Sequence, residues 1–270
     1  MKADLDTVEK TADGMDPGHA AALQVALGQS PDITTGSSLP PFFHQLYFWT
    51  PQPPDRLGRD GHPRVGQGLI PDMGLPRRMW AGGRLRFHRP LLADVPAEKE
   101  SRVESVERKE GRSGPLAFVT LAHRVMQEGA VTVEEWQDLV YREDPDPAAP
   151  APVPPRARTD ESEAREVSFD STLLFRYSAL TFNGHRIHYD LDYARDVEGY
   201  RGLVVHGPLL AQLLMLMATD ILGPLATFSF RAYSPLMHFE TAELCHKDGA
   251  LWVRGPDGRQ CMTAEATASE

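Results

Sequence analysis

Cysteine is nearly absent. Cys245 and Cys261 are the only two in 270 residues, too few for a disulfide framework and without metal-type spacing. They read as buried or strand thiols of a reducing compartment. Basic runs are missing as well: the formal charge is −10 and the pI near 5.5. That balance excludes a nucleic-acid binder, and any anionic ligand must rely on a local basic patch. The opening Met-Lys-Ala-Asp-Leu-Asp-Thr-Val-Glu-Lys lacks the apolar core of a secretory signal. Only residues 203–222 approach membrane-span length, and His206, Gln212 and Asp220 interrupt them, with Gly207-Pro208 breaking their start. The expectation is a soluble, cytoplasmic protein with no nucleic-acid or membrane partner. There is no phosphate-cradling glycine loop, nucleophile elbow or metal-ligand cluster, so no metal or redox cofactor is expected.

What is present divides the chain. Residues 144–165 hold Pro145, Pro147, Pro150, Pro152, Pro154 and Pro155 and then a charged run. Such a segment cannot bury a core and favours extended, polyproline-like backbone, so it reads as a linker between units at 1–143 and 166–270. In the first unit, residues 39–49 look like a short apolar helix opened by prolines. Strands are expected at 77–88, with Gly82-Gly83 at a bend, and at 101–110 and 117–127. In the second unit an apolar helix at 208–222 precedes strands at 226–233, 241–247, 251–254 and 261–267. A further helix is expected across 8–27, packed outside the first unit. One helix plus several antiparallel strands, occurring twice, predicts an α+β fold with each helix wrapped by a sheet.

The chemistry concentrates between Asn183 and Gly207. Asn183, His185 and His188 fall within six residues, and the Gly202-Leu-Val-Val-His-Gly-Pro loop then turns into the apolar helix. A neutral imidazole can accept a proton from water, and free N–H groups at a helix start can hold a developing oxyanion. The blander alternatives are an Asn-Gly turn flanked by satisfied histidines, and a plain helix start with proline in its first turn.

The sequences Thr181-Phe-Asn-Gly-His-Arg-Ile-His-Tyr-Asp190 and Gly202-Leu-Val-Val-His-Gly-Pro-Leu-Leu-Ala211 resemble the MaoC-like hot-dog hydratases and dehydratases. The likeness is closer to their type 2 hydroxyacyl-thioester branch, which includes mesaconyl-C4-CoA and itaconyl-CoA hydratases. Leu39-Pro-Pro-Phe-Phe-His-Gln-Leu-Tyr-Phe48 and Pro76-Arg-Arg-Met-Trp-Ala-Gly-Gly-Arg-Leu-Arg-Phe-His-Arg-Pro90 resemble the degenerate first hot dog of that branch. The resemblance implies a double hot-dog protein, hydrating an enoyl-thioester or dehydrating its product, on a short acyl-CoA that includes the dicarboxylic kind. The wider family pattern is Gly-Asp-x-Asn-Pro-x-His. Aligned on His188, its aspartate position holds Asn183 and its internal asparagine position His185.

On that basis His188 is expected to transfer the proton, Asn183 to position water and the Gly207 N–H to meet the enolate oxygen. His185 and His206 are expected at the substrate, with Phe43 and Tyr47 along the acyl tunnel. Arg84, clustered with Arg77, Arg78, Arg86 and Arg89, and Arg186 and Arg195, which flank the histidine motif, offer the basic patch for an acyl-CoA, with Arg84 and Arg186 as the chosen contacts. The departure at Asn183 leaves a non-catalytic acyl-thioester binder as the alternative of another class. A hot-dog thioesterase is the enzymatic alternative, although Asp220 stands at the wrong end of the helix for it. Monomer and homodimer are both compatible with two units in one chain.

Overall fold

Five strands from each half of the chain meet edge to edge. The structure is a computed structural model that describes residues 6–111, 114–144 and 153–269. The first half contributes β1 (Val8–Asp13), β2 (Arg77–Phe87), β3 (Ala97–Gly111), β4 (Gly114–Gln127) and β5 (Ala130–Arg142). The second contributes β6 (Glu163–Ser168), β7 (Leu225–Ala232), β8 (Thr241–Lys247), β9 (Ala250–Arg254) and β10 (Gln260–Ala268). The order is β1-β3-β4-β5-β2-β7-β10-β9-β8-β6, a single ten-stranded sheet whose adjacent pairs are all antiparallel. The seam is β2–β7, where Gly82 lies opposite Arg231. A Cβ on Gly82 would come within 2.5 Å of the Phe230 carbonyl, so glycine is what lets the two strands close.

The long helix α3 (Gly207–Leu222) lies in the second half with Leu209, Leu214, Met215 and Ala218 all fully buried. Each buried leucine contributes roughly 2 kcal/mol of transfer free energy. Gln212 reaches from α3 to donate to the Pro41 carbonyl at 2.9 Å, tying the helix to the first half. A shorter helix, α2 (Ser171–Leu180), starts where the Asp170 carboxylate accepts the Leu173 N–H at 2.7 Å. Among the described residues no helix is long and apolar enough to cross a membrane, and Cys245 and Cys261 are both buried and free.

The first half departs from the expected helices. Residues 8–27 are not one helix: Val8–Asp13 pairs with β3, and a separate helix α1 (Pro17–Ala26) begins after Met15 turns into positive φ. Asp16 caps α1 by accepting the Gly18 N–H. Residues 39–49 yield only the 3-10 turn Phe43–Leu46, bounded by Phe42 and Phe48 at φ 72° and 62°. These left-handed residues stop helix propagation. The place of a second central helix is therefore taken by one turn. Strand β5 escapes periodic reading because Glu134, Glu135, Gln137 and Asp138 interrupt its apolar positions. In the proline-rich segment, Pro145, Pro147, Pro150 and Pro152 lie outside the described residues. Its later part runs along the second half, where Gln260 donates to the Pro155 carbonyl, and Glu163–Arg165 already belong to β6.

Candidate active site

The loop after α2 is built by short-range hydrogen bonds. Phe182 takes positive φ, the Asn183 N–H donates to Ser178, and the Asn183 side-chain oxygen accepts the His185 N–H at 3.0 Å. A single 3-10 turn, Arg186–His188, follows. Val204 then binds Ile187 through its N–H and Met237 across an isolated bridge. This short extended segment delivers His206 as the N-cap residue of α3.

His188 is 6 % exposed, and its Nδ1–H donates to the Val204 carbonyl at 2.7 Å. A carbonyl can only accept, so Nδ1 carries the proton and Nε2 is left with its lone pair. The ring stacks on His206 with centroids 3.6 Å apart and meets His185 edge-on at 5.4 Å. His206 is fully buried and paired through Nε2 with Ser178 at 2.8 Å. Burial pushes the His188 pKa down to about 3, helped by the neighbouring His185. Burial likewise lowers His185 and His206 well below the ordinary imidazole range. All three are neutral at pH 7.

His62 completes the row from the first half. Its ring lies 5.0 Å from that of His185, and burial followed by Arg78 lowers its pKa. The placement depends on two glycines. A Cβ on Gly61, which sits at φ 87°, would come within 2.1 Å of the Gly184 carbonyl, and one on Gly184 within 2.6 Å of the Gly61 carbonyl. The Arg186 N–H also donates to the Asp60 carbonyl at 2.9 Å. His62 escapes notice in the sequence because its loop has no periodicity, and Gly61-His62-Pro63 carries no motif.

His62, His185 and His188 open on a cavity of about 2000 Å³, whereas His206, expected at the substrate, is fully buried behind His188, bonded to Ser178, and does not line it. Asn183, His62, His185, His188 and Gly207 line it, together with Trp80 and Tyr177. The Gly207 N–H has no acceptor among the described residues. A Cβ there would meet nothing closer than the Trp80 carbonyl at 3.9 Å, so the helix start faces open space.

Other residues singled out in the sequence are placed elsewhere. Phe43 is fully buried in the core, and Tyr47 is buried with its hydroxyl donating to the Asp16 carbonyl at 3.0 Å. Neither is on the cavity wall. Arg186 is held by Asp190 at 2.7 Å and lies over the Tyr193 ring. Arg84 is on the outer face, against Asp138 and Trp136. Arg77 and Arg78 do line the cavity. Arg77 pairs with buried Glu198 at 2.6 Å, and Arg142, which the sequence did not single out, stands opposite it on β5.

Comparison with known proteins is decisive about ancestry. Residues 42–238 match the family of hydroxyacyl-thioester dehydratase type 2. The mesaconyl-C(4)-CoA hydratase of Chloroflexus aurantiacus is 46% identical over 239 residues, covering 86% of this chain and 84% of that protein. The crystal structure of HtdX from Mycobacterium tuberculosis superposes with a TM-score of 0.69 at 19% identity, covering 97% of this chain and 100% of that one. A double-hotdog protein from the same organism gives 0.58 at 16% identity, over 96% and 94% of the two chains. The ten-stranded α+β architecture is thus a double hot dog, and the chain belongs to the hydroxyacyl-thioester dehydratase type 2 family.

Proposed function

We propose that the protein is a hydro-lyase that adds water across, or removes it to form, the double bond of a short enoyl-CoA. One observation carries this reading above the others. A neutral histidine with its tautomer fixed stands against the N-cap of a helix whose first N–H opens on the same cavity.

In the hydration direction, His188 Nε2 takes a proton from water as its oxygen bonds to Cβ of the enoyl group. The electron pair of the double bond moves through Cα to the thioester oxygen, which becomes an enolate held by the Gly207 N–H. The imidazolium at His188 returns its proton to Cα, and the thioester carbonyl re-forms. A burial-depressed imidazole is a weak base in the empty site. The developing enolate supplies the counter-charge that favours its protonated form, so base strength rises as the reaction proceeds.

The side-chain oxygen of Asn183, committed to the His185 N–H, holds the loop rather than carrying a proton. Its amide nitrogen remains for orienting water. His185 and His62 shape the polar wall beside the base. The first half encloses the acyl group and the second carries the catalytic loop. The phosphates of CoA fit the arginine end, where Arg77 and Arg142 face the cavity and Arg195 and Arg201 stand exposed at its rim. Two buried free cysteines fit action in a reducing cytoplasm. A thioesterase reading lacks a carboxylate bonded to the catalytic histidines. Asp220 is 62% exposed and paired with Arg165, and among the described residues no carboxylate is hydrogen-bonded to the rings of His185, His188 or His206.

The test is the loss of enoyl-thioester absorbance on hydration of mesaconyl-C4-CoA, itaconyl-CoA and crotonyl-CoA. At least one should be turned over, and His188→Ala should lose on the order of 100-fold or more in kcat. A wild-type rate in His188→Ala would remove the catalytic assignment. Binding of all three without turnover would leave a thioester-binding protein.

A further inference from the structure

Within the first half, the sheet face against the 3-10 turn carries a polar patch. Ser101 on β3, His123 on β4 and Glu135 on β5 stand directly opposite one another across three strands. Lys99 lies two residues before Ser101 on that face, and Gln137 two after Glu135. Ser101 Oγ meets His123 Nδ1 at 2.7 Å. Glu135 is taken by His44 and Gln45, both at 2.7 Å. Lys99, Ser101, His123 and Gln137 line the same cavity as the catalytic histidines.

Lys99 is the group left over. Among the described residues no carboxylate comes within 4 Å of its ammonium, which lies 5.3 Å from the centre of the Phe48 ring. Burial lowers its pKa, while Glu135, Asp13 and Glu9 act on it only from longer range. A cation withdrawn from water without a paired anion is costly unless a ligand supplies the anion. A hydrocarbon chain placed here would leave the Lys99 ammonium desolvated and unpaired. A polyanionic phosphate would meet Glu9, Asp13 and Glu135 as well as one cation, whereas a single carboxylate matches a single ammonium.

We propose that Lys99 receives a free carboxylate at the far end of the acyl group, so that this wall of the first half selects a carboxylated enoyl-thioester over an apolar one. The inference rests on the hydratase reading above and assigns its specificity. The arginine end of the cavity then holds CoA, and the acyl group crosses the histidine row between the two charged ends.

The experiment compares kcat/KM for mesaconyl-C4-CoA with that for crotonyl-CoA. In the former, thioester and free carboxylate stand at opposite ends of one double bond; the latter has no carboxylate. The wild-type chain should prefer the carboxylated substrate. Lys99→Met should lower the ratio of the two values roughly 10- to 100-fold, as loss of a hydrogen bond to a charged group does, mainly through KM. Lys99→Arg should recover part of it. The methyl ester of mesaconyl-C4-CoA, tried on the wild-type chain, should show the same loss without any variant. An unchanged ratio in Lys99→Met, or equal turnover of acid and ester by the wild type, overturns the role of Lys99 while hydration itself stands. A wild-type chain that hydrates no enoyl-CoA overturns the hydratase reading instead.

Discussion

Gly61 and Gly184 touch backbone to backbone, and through that contact His62 of the first half comes to stand beside His185 of the catalytic loop. A methyl group on Gly61 would have to occupy space within 2.1 Å of a carbonyl oxygen, at a φ of 87° that side chains rarely adopt. Gly61→Ala should therefore destabilise the fold by about 2 kcal/mol or more. It should also push the histidine row apart. Chemical denaturation alongside kcat/KM checks both effects, and activity should fall further than stability alone explains.

The His62 ring has a narrower task. Replacing it by Asn keeps a polar group and should leave the melting temperature close to wild type, while kcat falls several-fold because a neighbour of His185 is gone. Its removal should also raise the pKa of His185, since His62 is among the groups that lower it. The pH profile of kcat/KM for His62→Asn, set beside the wild type, reads this. A profile and rate identical to wild type would confine His62 to packing.

Asn183→Asp should preserve the loop, because a carboxylate oxygen can still accept the His185 N–H. The added negative charge favours imidazolium at His185 and His188. Protonated His188 cannot act as base, so the acid limb of kcat/KM, which in the wild type lies well below pH 6.5, should move to higher pH. Asn183→Ala instead loses the loop bond and should cost about 1 kcal/mol, measured by thermal unfolding.

Stability should fall on acidification from pH 6.5. The folded pKa of His188 is near 3 and that of His123 near 4, both depressed by burial. Between those values and 6.5 the unfolded chain binds more protons than the folded one, so unfolding is favoured as pH drops. Each such histidine contributes up to about 1.4 kcal/mol per pH unit in that window. The slope of denaturation free energy against pH between 6.5 and 4.5 should exceed one proton, and His123→Gln should reduce it.

The second half was largely legible in the sequence. Apolar content and the Gly207-Pro208 step located α3, and β8 spans residues 241–247 in both readings. The first half was harder because its folding information is not periodic. Left-handed Phe42 and Phe48 interrupt what resembles a helix, and the acids of β5 are satisfied by partners distant in sequence, as Glu135 is by His44. The site divides similarly. Asn183, His185, His188 and Gly207 share one cavity, all from two nearby stretches. Arg84 could not be sorted from Arg77 without strand register, which alone tells a β2 side chain facing the cavity from one facing out.

The seam between β2 and β7 has a consequence for how the protein is lost. Trp80, just before the seam, faces the Gly207 helix start, and the histidine row takes one member from one side and three from the other. Neither half retains a usable pocket if the strands part. Inactivation and unfolding should then coincide in a single transition, with no inactive state in which one half is still folded and the other is not.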